Sequence, residues 1–159
     1  MSGASQPPPT DYLDPRGPRF AAALTSIVLA VVLLTASVWL LALQAVVFAV
    51  GAIAGVRRSP YSLLYARLIR PRLSPPKDWE APRPPQFAQA VGLVFALVGI
   101  AGFALGAPVV GLVATALALV AALLNAVTGF CLGCEIYLLI QRITSTSTHD
   151  SHHTTEVSA

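Results

Sequence analysis

The chain has 159 residues, 55% of them hydrophobic and only 11% charged, against roughly a quarter charged in an ordinary soluble domain. With a mean hydropathy of +0.71 it carries more apolar surface than one small globule can hide, so its main solvent must be lipid. The net charge of +3 and the pI near 9.2 do not point to nucleic acid, because the ten Lys/Arg residues are sorted into three regions rather than gathered into one patch.

Residues 1–13 are polar, include Pro7, Pro8 and Pro9, and read as a disordered leader. No cleavable targeting segment is expected, since the first apolar stretch far exceeds a signal core of roughly 7–15 residues. Arg16 and Arg19 precede an uncharged block, residues 20–56. One straight helix of that length would measure about 55 Å, against a hydrocarbon core of about 30 Å. Two spans fit better, residues 20–36 and 39–56, with a tight turn between Thr35 and Trp39 and the Trp39 ring at the interface.

Arg57, Arg58, Arg67, Arg70, Arg72, Lys77 and Arg83 follow. Residues 61–70 put Tyr61, Leu64 and Leu68 on one helical face and Arg67 and Arg70 nearer the other. That pattern suits a short helix lying flat among anionic headgroups. Pro71, Pro75, Pro76, Pro82, Pro84 and Pro85 predict extended chain for the rest of the segment.

The second uncharged block covers residues 87–130 and is broken at Gly106-Ala107-Pro108, giving spans at residues 87–105 and 109–128. Gly92, Gly99, Gly102 and Gly111 would let helices approach closely, and Gln44 and Asn125 would bond between helices. No ionisable residue lies inside a span, which argues against an ion pump or a proton-coupled carrier. No phosphate loop, Ser/His/Asp arrangement or dinucleotide fingerprint is present. Residues 144–159 are Ser/Thr/His-rich, contain His149, His152 and His153, and read as a disordered tail.

A weak repeat is visible. Pro18-Arg19-Phe20-Ala21 opens the first block and Pro85-Gln86-Phe87-Ala88 the second, and each block runs into a glycine and a Tyr/Leu/Ile-rich basic stretch. The expected fold is an all-α membrane protein. Its four transmembrane helices form two repeated hairpins, each followed by a short cytoplasmic interfacial helix, within residues 14–143. Every Lys and Arg then falls on one side of the bilayer, so both termini and the central segment are expected in the cytoplasm.

The candidate chemistry is confined to Cys131 and Cys134, in Gly129-Phe130-Cys131-Leu132-Gly133-Cys134-Glu135. Three apart, they share a helical face. A reducing compartment argues against a permanent structural disulfide. A helix N-terminus at Cys131 would favour its thiolate, whereas Glu135 would oppose it. Three readings stay open. The pair is a redox dithiol, two inert packed residues, or half of a metal site completed by tail histidines or a second subunit.

Asp14-Pro15-Arg16-Gly17-Pro18-Arg19-Phe20, Arg58-Ser59-Pro60-Tyr61 and the run from Asn125 to Tyr137 resemble an uncharacterised bacterial membrane family catalogued as domain of unknown function 4395. The resemblance covers residues 14–142 and implies the bacterial inner membrane. Thr128-Gly129-Phe130-Cys131 more faintly resembles membrane hairpins attached to rhodanese (sulfurtransferase) domains, departing from them after Cys131. The expected function is thiol-redox or sulfur-relay chemistry through Cys131 and Cys134, with a cytoplasmic thioredoxin-like or sulfurtransferase partner rather than as an independent enzyme. The alternative is a membrane scaffold with inert cysteines. No cofactor and no nucleic acid enter this reading, the lipid bilayer does, and a homo-oligomer is compatible with it.

Overall fold

Asp14 starts the first helix. Its Oδ1 accepts the Arg16 N–H at 3.0 Å and its carbonyl accepts the Gly17 N–H at 3.0 Å, satisfying donors that a helix start leaves open. Helix α1 (Arg16–Thr35) closes at Ala36, in the left-handed region at φ 49°, and Ser37 caps α2 (Val38–Ile53) by accepting the Leu40 N–H at 3.3 Å. Two residues therefore turn the chain back on itself. The computed structural model describes residues 12–74, 76 and 79–149; most of the expected leader, Lys77, His152 and His153 lie outside the described residues.

After α2 come a 3-10 turn (Val56–Arg58), α3 (Pro60–Leu68) and a second 3-10 turn (Arg70–Arg72), so the segment expected to be extended is helical at its start. Helices α4 (Arg83–Ala104) and α5 (Pro108–Thr128) follow, joined at Leu105, Gly106 and Ala107, and α6 (Leu132–His149) comes last. Proline in the first turn suits α3, α4 and α5, because its missing N–H is one the helix would not use. Helix α6 runs on through His149, into the Ser/Thr-rich stretch expected to be disordered. There the Thr144 hydroxyl donates to the Ile140 carbonyl at 2.7 Å, a bond inside the helix.

The fold is all-helical among the described residues, apart from one isolated bridge. Three helices, α1, α4 and α5, are long and apolar enough to cross a membrane. Helix α2 is as apolar but has 16 residues, about 24 Å. It stops early because Gly55, at φ 91°, turns the chain into the 3-10 turn.

Helices α1, α2, α4 and α5 stand at the corners of a square, with α2 on α4 and α1 on α5 making the densest sides. Leu29, Val32, Leu41, Ala45, Phe48, Ala96 and Ala118 fill the centre. Ile27, Leu34, Trp39, Val94, Leu105 and Val127 point outward and stay exposed. The centre mixes Leu, Val and Phe with alanines, and the many exposed apolar residues form an outer surface suited to lipid. The glycines supply the close approaches. A Cβ on Gly92 would sit 2.9 Å from Phe48, and one on Gly102 would sit 2.5 Å from the Gly111 backbone nitrogen.

The buried polar groups are matched. Gln44, fully buried on α2, donates to Thr25 of α1 at 3.4 Å and accepts from the Tyr61 hydroxyl of α3 at 2.8 Å. The Thr115 and Ser26 hydroxyls bond carbonyls one turn back, at 2.8 Å each.

The two halves place matching residues alike. Arg16-x-Pro18-x-Phe20-Ala21 begins α1, and Arg83-x-Pro85-x-Phe87-Ala88 begins α4. The Phe20 ring lies 5.8 Å from Tyr65 on α3, and the Phe87 ring lies 5.7 Å from Tyr137 on α6, tilted by 43° and 44°. Leu13 and Glu80, each three residues before those arginines, bond to one another in both directions, N–H to carbonyl, at 2.8 and 2.9 Å. Exchange of both bonds is the ordinary hydrogen-bonded pairing of an antiparallel bridge, and it ties the starts of α1 and α4 together.

Helix α3 packs through Tyr61 and Tyr65, while Leu64 and Leu68 are exposed. The tyrosine hydroxyls find partners inside the protein, while Leu64 and Leu68 stay outward, on the side expected to meet the membrane surface. Tyr65 donates to Asp14 at 2.9 Å. Burial first, and then that hydrogen bond, push Tyr65 up to about 12 from an ordinary 10.0. Between these values the folded chain keeps a proton that the unfolded chain loses, so its share of stability is complete below pH 10 and disappears as pH rises through 12. A detergent-solubilised stability profile should fall in that window, and Tyr65→Phe should flatten the fall.

Candidate functional site

The site is built where α5 gives way to α6. Gly129, at φ 77°, ends α5, its N–H donating to the Asn125 carbonyl at 2.9 Å. This is a left-handed position that glycine takes without cost. The Phe130 N–H donates to the Thr128 hydroxyl at 3.1 Å, fixing the turn. From α1, Arg19 Nη2 donates to the Val127 carbonyl at 3.1 Å, so a cation sits on the C-terminal end of α5, where the helix dipole favours it.

Cys131 then caps α6. Its carbonyl accepts the Glu135 N–H at 3.0 Å and its Sγ accepts the Cys134 N–H at 3.4 Å. The two Cα atoms are 5.2 Å apart and the sulfurs lie at disulfide distance. Both residues are half-buried. Gly133 between them rests on α4, where a Cβ would lie 2.7 Å from Cα and Cβ of Ala88. That close contact, with the Phe87–Tyr137 ring pair, seats α6 on α4.

Both cysteines border a cavity of about 850 Å³ between α1, α4, α5 and α6. Arg19, Thr25, Gln89 and Asn125 supply its polar wall groups, and Phe48, Phe95 and Leu117 its deeper apolar walls. Glu80 also borders it; burial, and secondly the negative Asp14, push its carboxyl above the usual range. Glu135, expected to oppose a thiolate, follows Cys134 in the first turn of α6, is exposed, and also borders the cavity. Among the described residues no three His, Cys, Asp or Glu side chains gather as a metal site would need.

A family model described as "Domain of unknown function (DUF4395)" matches residues 13–142. The chain belongs to that family. No curated protein and no solved structure matches it. The likeness to rhodanese-associated hairpins therefore finds no support.

Within this DUF4395 chain, the structure brings the two cysteines together and puts Asn125 on the cavity wall. The sequence reading missed Arg19, Gln89 and Ala88. Arg19 stood out only as a topology charge, and its contact with α5 spans more than a hundred residues of sequence. Nothing local to Ala88 marks it as the seat of Gly133.

Proposed function

We propose that this protein is a multi-pass membrane thiol–disulfide oxidoreductase working through Cys131 and Cys134. The observation that carries the reading is the capping geometry: Cys131 Sγ sits at the start of α6, accepts the Cys134 N–H, and is within bonding reach of the Cys134 sulfur. Such a position favours a thiolate, and the cation of Arg19 borders the same cavity.

The membrane arrangement we infer has four spans in two hairpins, α2 completing its crossing with the residues that follow it. Both hairpins would enter from one face, since the bridge between Leu13 and Glu80 ties the starts of α1 and α4 together. The described arginines flank those starts, sit between α2 and α4, or lie on α6, and the far turns at Ala36–Ser37 and Leu105–Ala107 carry no charge. The positive-inside bias makes the arginine face the cytoplasmic face of a bacterial inner membrane. A disulfide there would be one that cycles, as cytoplasmic disulfides commonly are.

In the proposed exchange, the Cys131 thiolate attacks a partner disulfide and one partner thiolate leaves. Cys134 then attacks Cys131 Sγ, the ring of Cys131–Cys134 closes, and the partner departs as a dithiol. The partner fitting this chemistry is a thioredoxin-like protein. Under mild oxidation in membranes, Cys134→Ser is expected to trap a mixed disulfide and Cys131→Ser to trap none. Equal trapping by both variants would overturn the assigned order. Trapping by neither, with slow alkylation of the wild type, would leave the inert scaffold standing.

A further inference from the structure

We propose that the cavity beside Cys131 and Cys134 receives the head group of a lipid-soluble, fully substituted quinone, which accepts the two electrons of the reduced pair. This rests on the thiol–disulfide reading and names the co-substrate of the same site.

The cavity has a reactive end and an apolar end. The cysteines, Arg19 and Glu80 lie at the level of the helix ends, while Phe95 of α4 and Leu117 of α5 lie roughly 16–18 Å deeper, at 1.5 Å per residue. Leu117 and Val120 border the cavity and keep 52% and 60% of their surface exposed, so it is continuous with the apolar exterior. Its volume of about 850 Å³ is within the usual range for small-molecule sites. An oxidant reaching the pair by this route must dissolve in the bilayer. Charged soluble carriers would lose their hydration against these walls without matching partners.

The chemistry narrows the class further. Closing the Cys131–Cys134 bond releases two electrons and two protons. A quinone takes up both, its two carbonyl oxygens becoming hydroxyls, and leaves as a hydroquinone that stays lipid-soluble. Arg19, Gln89 and Asn125, all on the cavity wall, are donors of the kind that hold a quinone carbonyl and stabilise the charge developing on it. For turnover the exchange described above runs in reverse. A partner dithiol attacks Cys131 Sγ, Cys134 leaves as thiolate, the partner's second thiol displaces Cys131, and the partner departs as a disulfide with the pair reduced again.

The test uses the full chain in nanodiscs, reduced, freed of reductant and kept anaerobic. A short-chain, fully substituted benzoquinone is added, because it has no open ring position for a thiol to add to. Quinone loss is followed by absorbance and thiol loss by a maleimide mass shift. One quinone should be reduced per disulfide formed. Ala122→Phe, which fills the cavity from α5, should raise the quinone KM roughly tenfold, about 1.4 kcal/mol. The same variant should be oxidised by diamide at the wild-type rate, which shows that it is folded and its thiols are free. If wild type exchanges with glutathione disulfide and thioredoxin yet leaves the quinone untouched, the quinone site is wrong and the thiol chemistry survives. Quinone reduction equally fast in Ala122→Phe would also overturn it, as would occupation of the cavity by lipid that blocks the reaction. No exchange with any disulfide would remove both readings.

Discussion

Gly102→Ala should destabilise the protein by about 2–3 kcal/mol, the upper part of the range for overpacking. A single added methyl group is enough. The new Cβ would stand 2.5 Å from the Gly111 nitrogen, 3.0 Å from its Cα and 3.1 Å from the Val110 carbonyl carbon. All three are backbone atoms, so no rotamer change can relieve the clash, and α4 must back away from α5. The loss extends beyond this pair. Gly99, three residues earlier, meets both Leu41 of α2 and Thr115 of α5, so one displaced helix opens two sides of the square. Reversible unfolding in mixed micelles measures the effect. Gly106→Ala is the useful comparison, since nothing lies within 4 Å of a Cβ there and only its φ of 76° is strained. A Gly102→Ala variant no less stable than Gly106→Ala would show that α4 and α5 are not locked at this crossing.

Gly133→Ala is expected to act on function and not on the bundle. Its Cβ would meet Cα and Cβ of Ala88 at 2.7 Å, so α6 must lift from α4 by about 1 Å to restore ordinary contact. The sulfurs and their sequence are untouched, but the pair moves relative to Arg19 and the cavity wall. Displacements of about that size can cost up to a hundredfold in rate, so thiol exchange should slow by at least tenfold. The bundle should keep its stability to within about 1 kcal/mol, because α6 is not part of the square. Stopped-flow exchange with a thioredoxin-like dithiol, run beside micellar unfolding, separates the two. Wild-type exchange in this variant would mean that the seat on Ala88 does not position the cysteines.

The alternative site readings fare differently in the folded chain. A metal centre needed ligands beyond the two thiols. Of the tail histidines, His152 and His153 lie outside the described residues, and no third ligand gathers among those described. Both cysteines are half-buried and border a cavity, and slow alkylation of the folded wild type is the outcome the inert reading expects.

What the sequence determined by itself was whatever depends on local composition and period. Charge exclusion from residues 20–56 and 87–130 made the fold helical and apolar, Pro108 set the start of α5, and the Cys-x-x-Cys spacing put both sulfurs on one side of a turn. The tertiary structure alone decided what depends on distant partners. Tyr65 turned inward because Asp14, 51 residues away, offers its carboxylate. Helix α6 continued to His149, past the point where composition suggested that order ends. The cavity exists because Gly133 finds Ala88 and Arg19 finds the end of α5, contacts between segments that carry no mark of each other. Hydropathy and spacing act through neighbours along the chain and can be read from it. Close packing acts through neighbours in space, and only the fold supplies those.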